Sequence, residues 1–183
     1  MQSKDNKTKK VVISALLVGL SIIIPYISLP VLPIPEFSVT LFAHVAILIA
    51  MFMGMEVGIM AGLGSILGFY LKGMPIVVVM RAAAHLVFII VGAVMLKKLH
   101  NKKWNVYVTG AVTGVIHALC EGAVVAFWFK STSISNTFSV GVPIFFLHHC
   151  FDYVCALIIY TALVRAHLVK TNLILPKIKR KDV

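Results

Sequence analysis

Long apolar runs dominate the chain and are separated by short polar breaks. Their lengths approach the roughly 20 residues that a helix needs to cross a hydrocarbon core about 30 Å thick. The pattern predicts six spans, over residues 11–29, 39–54, 56–72, 75–96, 104–129 and 142–167. The expected fold is therefore all-α: an integral membrane protein whose six transmembrane helices form a compact bundle.

Two connections between the predicted spans differ in character. Spans 2 and 3 meet almost without a break at GME, residues 54–56, which predicts a tight helical hairpin. Span 3 also carries glycines four residues apart, a spacing that allows close approach between helices inside a bilayer. The connection after span 1, SLPVLPIPEFS at 28–38, contains three prolines. Because proline blocks helix and favours an extended path, this segment is either a lid on the outer face or a stiff connector.

Composition supports the membrane interpretation. Hydrophobic residues make up 60% of the 183 residues and charged residues 13%, whereas soluble domains average roughly 45–50% and about 25%. The mean hydropathy is +1.00. The first apolar run is longer than the roughly 7–15 residues of a signal peptide, and no small-residue cleavage site follows it. We therefore expect it to be retained as a helix.

The net charge of +11 arises from basic clusters that flank the spans, which excludes an extended nucleic-acid surface. Basic residues favour the cytoplasmic side of a membrane, so both termini are expected there. The chain then divides into a basic N-terminal segment (1–10), a six-helix membrane domain (11–167) and a basic tail (168–183). The clusters are Lys4, Lys7, Lys9, Lys10; Lys97, Lys98, Lys102, Lys103; and Lys170, Lys177, Lys179, Arg180, Lys181.

A small set of ionisable residues interrupts the apolar spans. Three pairs are spaced three or four residues apart, so each pair shares one helical face. The set comprises Arg81 and His85 in span 4, His117 and Glu121 in span 5, His148 or His149 with Asp152 in span 6, and His44 in span 2. Such groups are costly in a bilayer and normally face the bundle interior or a wet cavity. With the assumed topology they all lie in the outer half of the membrane.

These residue types suit a small organic anion. An arginine offers a planar fork of donors that matches a carboxylate, and the histidines add further hydrogen-bonding groups. Arg81 alternatively pairs with Glu121 or Asp152 to hold the bundle together. The fixed charges of these three residues sum to minus one, so a cationic ligand stays open. Of the adjacent histidines, only one is expected to face inward, because neighbouring side chains diverge by about 100°.

The whole chain resembles the substrate-binding S components of energy-coupling factor (ECF) vitamin transporters. Size, span number, basic inner ends, the apolar loop after span 1 and the Ala-x-x-x-Gly pair Ala15 and Gly19 carry this likeness. More locally, FSVTLFAHVAILIAMFMG, GFYLKGMPIVVVMRAAAHLVFIIVGA, IHALCEG and LHHCFDY are similar to the niacin-uptake subgroup.

The resemblance implies a mechanism. An S component of the cell membrane captures a vitamin on its outer face and has no enzymatic activity, cofactor or metal of its own. It then associates with a membrane coupling (T) subunit and two cytoplasmic ATPases, whose activity topples it and delivers the ligand inward. The resemblance places Ala15 and Gly19 at the coupling-subunit interface. It implies that Arg81 pairs with the niacin carboxylate while histidines bond the ring nitrogen or the acid.

Three other interpretations stay open. The first is an S component for a different vitamin or precursor, or for a metal ion bound by the histidines and carboxylates. Against a metal stand the absence of tight His-x-His or H-E-x-x-H spacing and the positive charge of Arg81. The second is an intramembrane enzyme with a histidine–carboxylate base, and the third is a scaffold subunit without a ligand.

Overall fold

The computed structural model describes residues 2–28, 37–100, 102, 104–129 and 134–169. Within these ranges the protein is entirely helical, as the hydrophobic pattern predicts. Its six main helices are α1 (Gln2–Ile27), α2 (Val45–Met53), α3 (Met55–Leu71), α4 (Ile76–Lys98), α5 (Asn105–Trp128) and α6 (Val142–Arg165). Most of the 28–38 connection and the basic tail beyond residue 169 lie outside the described residues.

In the described part of the chain, four helical segments are long and apolar enough to cross a membrane: Thr8–Ile27, Ile76–Lys98, Asn105–Trp128 and Ile134–Arg165. Helix α3 is apolar but shorter. The segment that ends in α6 is continuous from residue 134, because a helical turn and a π-helical turn at Thr137–Gly141 precede Val142. The six-span count and the cytoplasmic position of both termini stay predictions.

The predicted boundaries need correction at two helices. Helix α1 begins at Gln2, nine residues before the predicted start of the first span. The predicted span over 39–54 is wrong in length, since α2 covers only Val45–Met53. Nine residues rise about 13 Å, less than half of the hydrocarbon thickness. Helix α2 begins only at Val45 because the backbone N–H groups of Phe42 and His44, in the turns before it, donate to the carboxylate of Asp152.

Helix α2 forms the centre of the bundle. Eight of its nine residues are buried, and it packs against α1, α3, α4 and α6. Gly54 joins α2 to α3 with φ 138°, a conformation open to glycine and strained for other residues. The predicted tight hairpin between these two helices is confirmed.

Glycines of α3 set the distance to both neighbouring helices. A Cβ added at Gly64 would lie 3.0 Å from the carbonyl oxygen of Val18 in α1, and one at Gly68 would overlap the backbone of Ile22. On the opposite side, a Cβ at Gly62 would lie 2.8 Å from the side chain of Leu86 in α4. The predicted use of these glycines for packing inside the bundle is confirmed.

Candidate functional site

Arg81 and Glu121 form a buried ion pair between α4 and α5. The Arg81 Nη2 donates to Glu121 Oε2 at 2.8 Å and to the carbonyl oxygen of Ser38 at 2.9 Å. The guanidinium lies over the ring of Phe145, 4.6 Å from its centroid. Of the two partners open to Arg81 from the sequence, the structure therefore selects Glu121. One nitrogen, Nε, has no hydrogen-bond partner among the described residues.

Asp152 of α6 anchors the segment that leads into α2. Its Oδ1 accepts the backbone N–H of Phe42 at 2.9 Å, and its Oδ2 accepts the backbone N–H of His44 at 3.0 Å. Phe42 has φ 65°, which a non-glycine residue adopts only at a cost. The carboxylate thus stabilises a strained turn and sits at the positive end of a helix.

The same carboxylate orients His44. Its Oδ2 lies 3.0 Å from His44 Nδ1, and because an ionised carboxylate only accepts hydrogen bonds, Nδ1 carries the proton. In the neutral ring, Nε2 then presents its lone pair toward the middle of the bundle. Asp152 therefore fixes both the position of the His44 backbone and the direction of its unprotonated nitrogen.

Three imidazoles and one carboxylate converge at the middle of the cluster. His85 Nε2 lies 3.2 Å from His44 Nε2 and 3.0 Å from Glu121 Oε1. His117 Nε2 lies 3.6 Å from the same Oε1, too far for a hydrogen bond. One ligand-type atom from each of these four residues falls within 4.8 Å of all the others. This arrangement has the residue types and the spacing to bind a metal ion.

The two adjacent histidines of α6 both lie inside the bundle, so the expectation that only one faces inward is wrong. His148 Nε2 donates to the carbonyl oxygen of Thr40 at 3.0 Å, and it lies 3.3 Å from Asp152 Oδ2. His149 Nε2 instead lies 3.1 Å from the hydroxyl of Thr113 in α5. Although their directions diverge, α6 is enclosed on both sides at this level, so each finds a buried polar partner.

A cavity of about 70 Å³ adjoins the cluster at the end of the bundle where α1 and α3 end and α4 begins. This volume limits the ligand to a small molecule. His117, His149 and Asp152 lie behind its surface. Polar residues that line it are Ser28, Ser38, Thr40, His44, Lys72, Arg81, His85, Glu121 and His148.

Comparison with known proteins decides the family. Residues 9–171 match the model of the family described as "ECF transporter, substrate-specific component". The chain belongs to this family. It is also 33% identical over 138 residues to the niacin transporter NiaX of Lactococcus lactis subsp. cremoris (strain MG1363), an alignment that covers 74% of this chain and 62% of that protein. No solved structure matches. This S component is accordingly a multi-pass protein of the cell membrane.

In this S component, the Ala15–Gly19 pair points away from the bundle. Ala15 is exposed, and a Cβ added at Gly19 would meet nothing within 4 Å. An adjacent side of α1 carries Val18 and Ile22, which contact α3. The pair is therefore free of contacts with the other helices of the bundle among the described residues.

Several groups of the site were missed by sequence reasoning. The Lys72 amino group donates to the carbonyl oxygen of Pro25 at the edge of the cavity, although its place after span 3 is typical of an interfacial lysine. The carbonyl oxygens of Ser38 and Thr40 carry no signal in the sequence. The ring of Phe145 packs against the guanidinium of Arg81.

Proposed function

We propose that this S component captures nicotinate in the cavity beside Arg81 and passes it to an ECF coupling module for uptake. The single observation that carries the proposal is the position of Arg81 in the cavity wall, next to imidazoles that offer hydrogen bonds to a heteroaromatic ring. The name of the relative, a niacin transporter, supports nicotinate over other small acids. The chain spans about three fifths of that relative's length. Nicotinate is therefore inferred as the substrate of this chain and is not taken over from the relative's name alone.

Each polar residue has a distinct part in this proposal. Arg81 keeps Nη1 for the carboxylate of the ligand, because its hydrogen bonds to Glu121 and Ser38 use Nη2 and Nε is buried. His85 and His44 border the cavity and bond the ring nitrogen or the acid. Glu121 holds Arg81 and His85 in place, and Asp152 does the same for His44 and His148. His117 and His149 lie behind these residues, outside the lining of the cavity.

The transport step in the proposal follows the family. With six spans and both termini in the cytoplasm, the cavity opens at the outer end of the bundle, which suits capture from outside. A membrane coupling subunit and two ATPases then supply the energy. The outward-facing Ala15 and Gly19 of α1 support a partner helix that approaches closely at this face, since small residues permit such contact.

The test is thermal unfolding of the detergent-purified chain with a panel that includes nicotinate, nicotinamide and other vitamins. A ligand at 100 times its Kd adds about 2.7 kcal/mol to the free energy of unfolding. We expect the melting temperature to rise with nicotinate and much less with nicotinamide, which lacks the carboxylate. A rise with a different vitamin would replace the ligand and keep the S-component assignment.

The variant Arg81→Lys tests the pocket, because lysine keeps the charge that neutralises Glu121 but lacks the planar fork. We expect it to weaken nicotinate binding about tenfold or more while the unliganded protein stays folded. The matched control is Arg165→Lys, at the exposed end of α6, which should bind nicotinate as the parent does. Equal affinity in Arg81→Lys and the control would contradict the role of Arg81.

A further inference from the structure

Hydrogen bonding alone does not explain how closely four buried side chains approach one another. One ligand-type atom from each lies within 4.8 Å of the other three, and the residues are His44, His85, His117 and Glu121. In the neutral ring, His85 Nε2 holds one proton but lies within 3.2 Å of two acceptors, His44 Nε2 and Glu121 Oε1. Both ring nitrogens of His117 are buried and lack a hydrogen-bond partner in the described part of the chain. An unpaired buried polar atom costs about 1–3 kcal/mol, so a group that engages these atoms together would stabilise the site.

The distances between these side-chain atoms match the ligand-to-ligand distances around a tetrahedral metal ion. A tetrahedral ion with bonds of 2.0–2.1 Å has ligand atoms about 3.3 Å apart. The three separations that link the four residues are 3.2 Å from His44 to His85, 3.0 Å from His85 to Glu121, and 3.6 Å from His117 to Glu121. An ion at the centre would replace the contested proton of His85 and occupy the unpaired nitrogen of His117.

The surrounding residues also have the arrangement of a metal site. Histidine ligands usually donate their second N–H to a carboxylate, which fixes the ring orientation, and Asp152 accepts from His44 Nδ1 at 3.0 Å in this way. Arg81 bonds Oε2 of Glu121 and leaves Oε1 for the ion. With Arg81 neutralised by one of the two carboxylates, the cluster retains one negative charge, which favours a cation.

We propose that His44, His85, His117 and Glu121 bind one divalent transition-metal ion of the class that includes Zn²⁺ and Co²⁺. Three imidazoles and a carboxylate are ligands that this class prefers over Mg²⁺ or Ca²⁺. The ligands come from α4, α5 and the turn before α2, so the ion joins three parts of the bundle. The site shares His44 and His85 with the cavity proposed for nicotinate, and with the ion bound Arg81 is left to bind the ligand carboxylate; the metal assignment does not rest on the nicotinate assignment.

The test uses the full chain in detergent, without a histidine tag, after treatment with a chelator. Titration with ZnCl₂ followed by metal analysis should give about one tightly bound ion per chain. Titration with CoCl₂ should produce the intense visible bands of tetrahedral cobalt. If the chain holds no stoichiometric zinc and shows no such bands, the site is a hydrogen-bonded histidine cluster and the proposal is wrong.

Variants at His117 separate ligation from folding. His117→Gln should weaken zinc binding by at least about 100-fold, more than is typical for loss of a residue that only orients a ligand. The matched control is His149→Gln, which removes an equally buried histidine that bonds Thr113 and is not a ligand. Equal zinc binding in both variants would overturn the assignment.

His117→Cys covers the case in which His117→Gln fails to fold. A cysteine thiolate keeps a ligand at this position and should add a sulfur-to-cobalt charge-transfer band in the near ultraviolet. The parent chain already contains Cys120, Cys150 and Cys155, all free thiols, and its cobalt spectrum is the reference. A cobalt spectrum identical to that of the parent would place the metal elsewhere and contradict the proposal. Nicotinate binding is measured separately from metal binding, so the two experiments show which of the two assignments has failed.

Discussion

Asp152 is the residue on which most of the local geometry depends. It is fully buried and lies within 3.3 Å of two backbone amides and two histidine rings. A buried carboxylate is tolerated only when its oxygens are compensated by hydrogen bonds or opposite charge. Through these bonds α6 determines where α2 begins and how His44 is presented to the cavity.

We predict that Asp152→Asn destabilises the protein by at least about 1.5–3 kcal/mol, the size of one hydrogen bond to a charged group. The amide has one oxygen where the carboxylate has two, so Phe42 or His44 loses its acceptor. Denaturant unfolding in detergent measures the change, and hydrogen exchange of residues 39–45 should quicken. Glu56→Gln is the control because Glu56 is exposed; a surface change should stay within about 0.5 kcal/mol. Equal stability of both variants would contradict this role of Asp152.

Among the helices, α1 and α3 make the closest approach that glycine permits. The surface of α3 that faces α1 presents Gly64 and Gly68, and both meet backbone atoms that cannot move aside as a side chain can. In a bilayer such packing replaces the hydrophobic effect as the source of helix association. The position of α1, and with it the outward direction of Ala15 and Gly19, therefore depends on having glycine at both Gly64 and Gly68.

We predict that Gly68→Ala lowers the free energy of unfolding by about 1–3 kcal/mol, as overpacking does elsewhere. Gly19→Ala is the matched control within the same pair of helices. Its new methyl group meets nothing within 4 Å, and alanine favours helix over glycine by about 1 kcal/mol, so this variant should be neutral or more stable. Thermal unfolding of the two variants compares them directly. Greater loss from Gly19→Ala than from Gly68→Ala would mean that the two faces of α1 are assigned the wrong way round.

The sequence predicts well what depends on local spacing. Helix type, the glycine contacts of α3 and the shared faces of Arg81 with His85 and of His117 with Glu121 all follow from residues four apart. It fails where the cause is remote. Helix α2 is short because Asp152, 108 residues away, binds the turn before it. The metal-like cluster has no tight motif because His44, His85 and the His117–Glu121 pair lie on three separate elements, so spacing rules for a single helix detect the pair but not the cluster.

For the molecule as a whole, the cavity and the Ala15–Gly19 face lie on different surfaces. The cavity opens at one end of the bundle, beside Pro25 and Lys72, whereas Ala15 and Gly19 lie on the lateral surface of α1. Ligand capture and association with a coupling subunit are therefore separable in the proposed function. A substitution on the lateral face should affect transport without affecting the cavity.

We predict that Gly19→Trp abolishes or strongly reduces uptake of labelled nicotinate by cells that carry the coupling subunits, because a bulky side chain prevents close helix approach. Nicotinate binding by the purified variant should be unchanged. Val115→Trp places the same side chain at an exposed position of α5 and serves as the control. Uptake at the parental rate with Gly19→Trp would remove this face from the coupling interface.

The most direct test of carboxylate recognition by Arg81 is equilibrium dialysis of labelled nicotinate against the purified parent chain and Arg81→Lys. We expect one saturable site per chain, displaced by excess nicotinate and far less by nicotinamide, with affinity reduced about tenfold or more in Arg81→Lys. Saturable binding that nicotinamide displaces equally well, or that Arg81→Lys leaves intact, would contradict recognition of a carboxylate at this cavity.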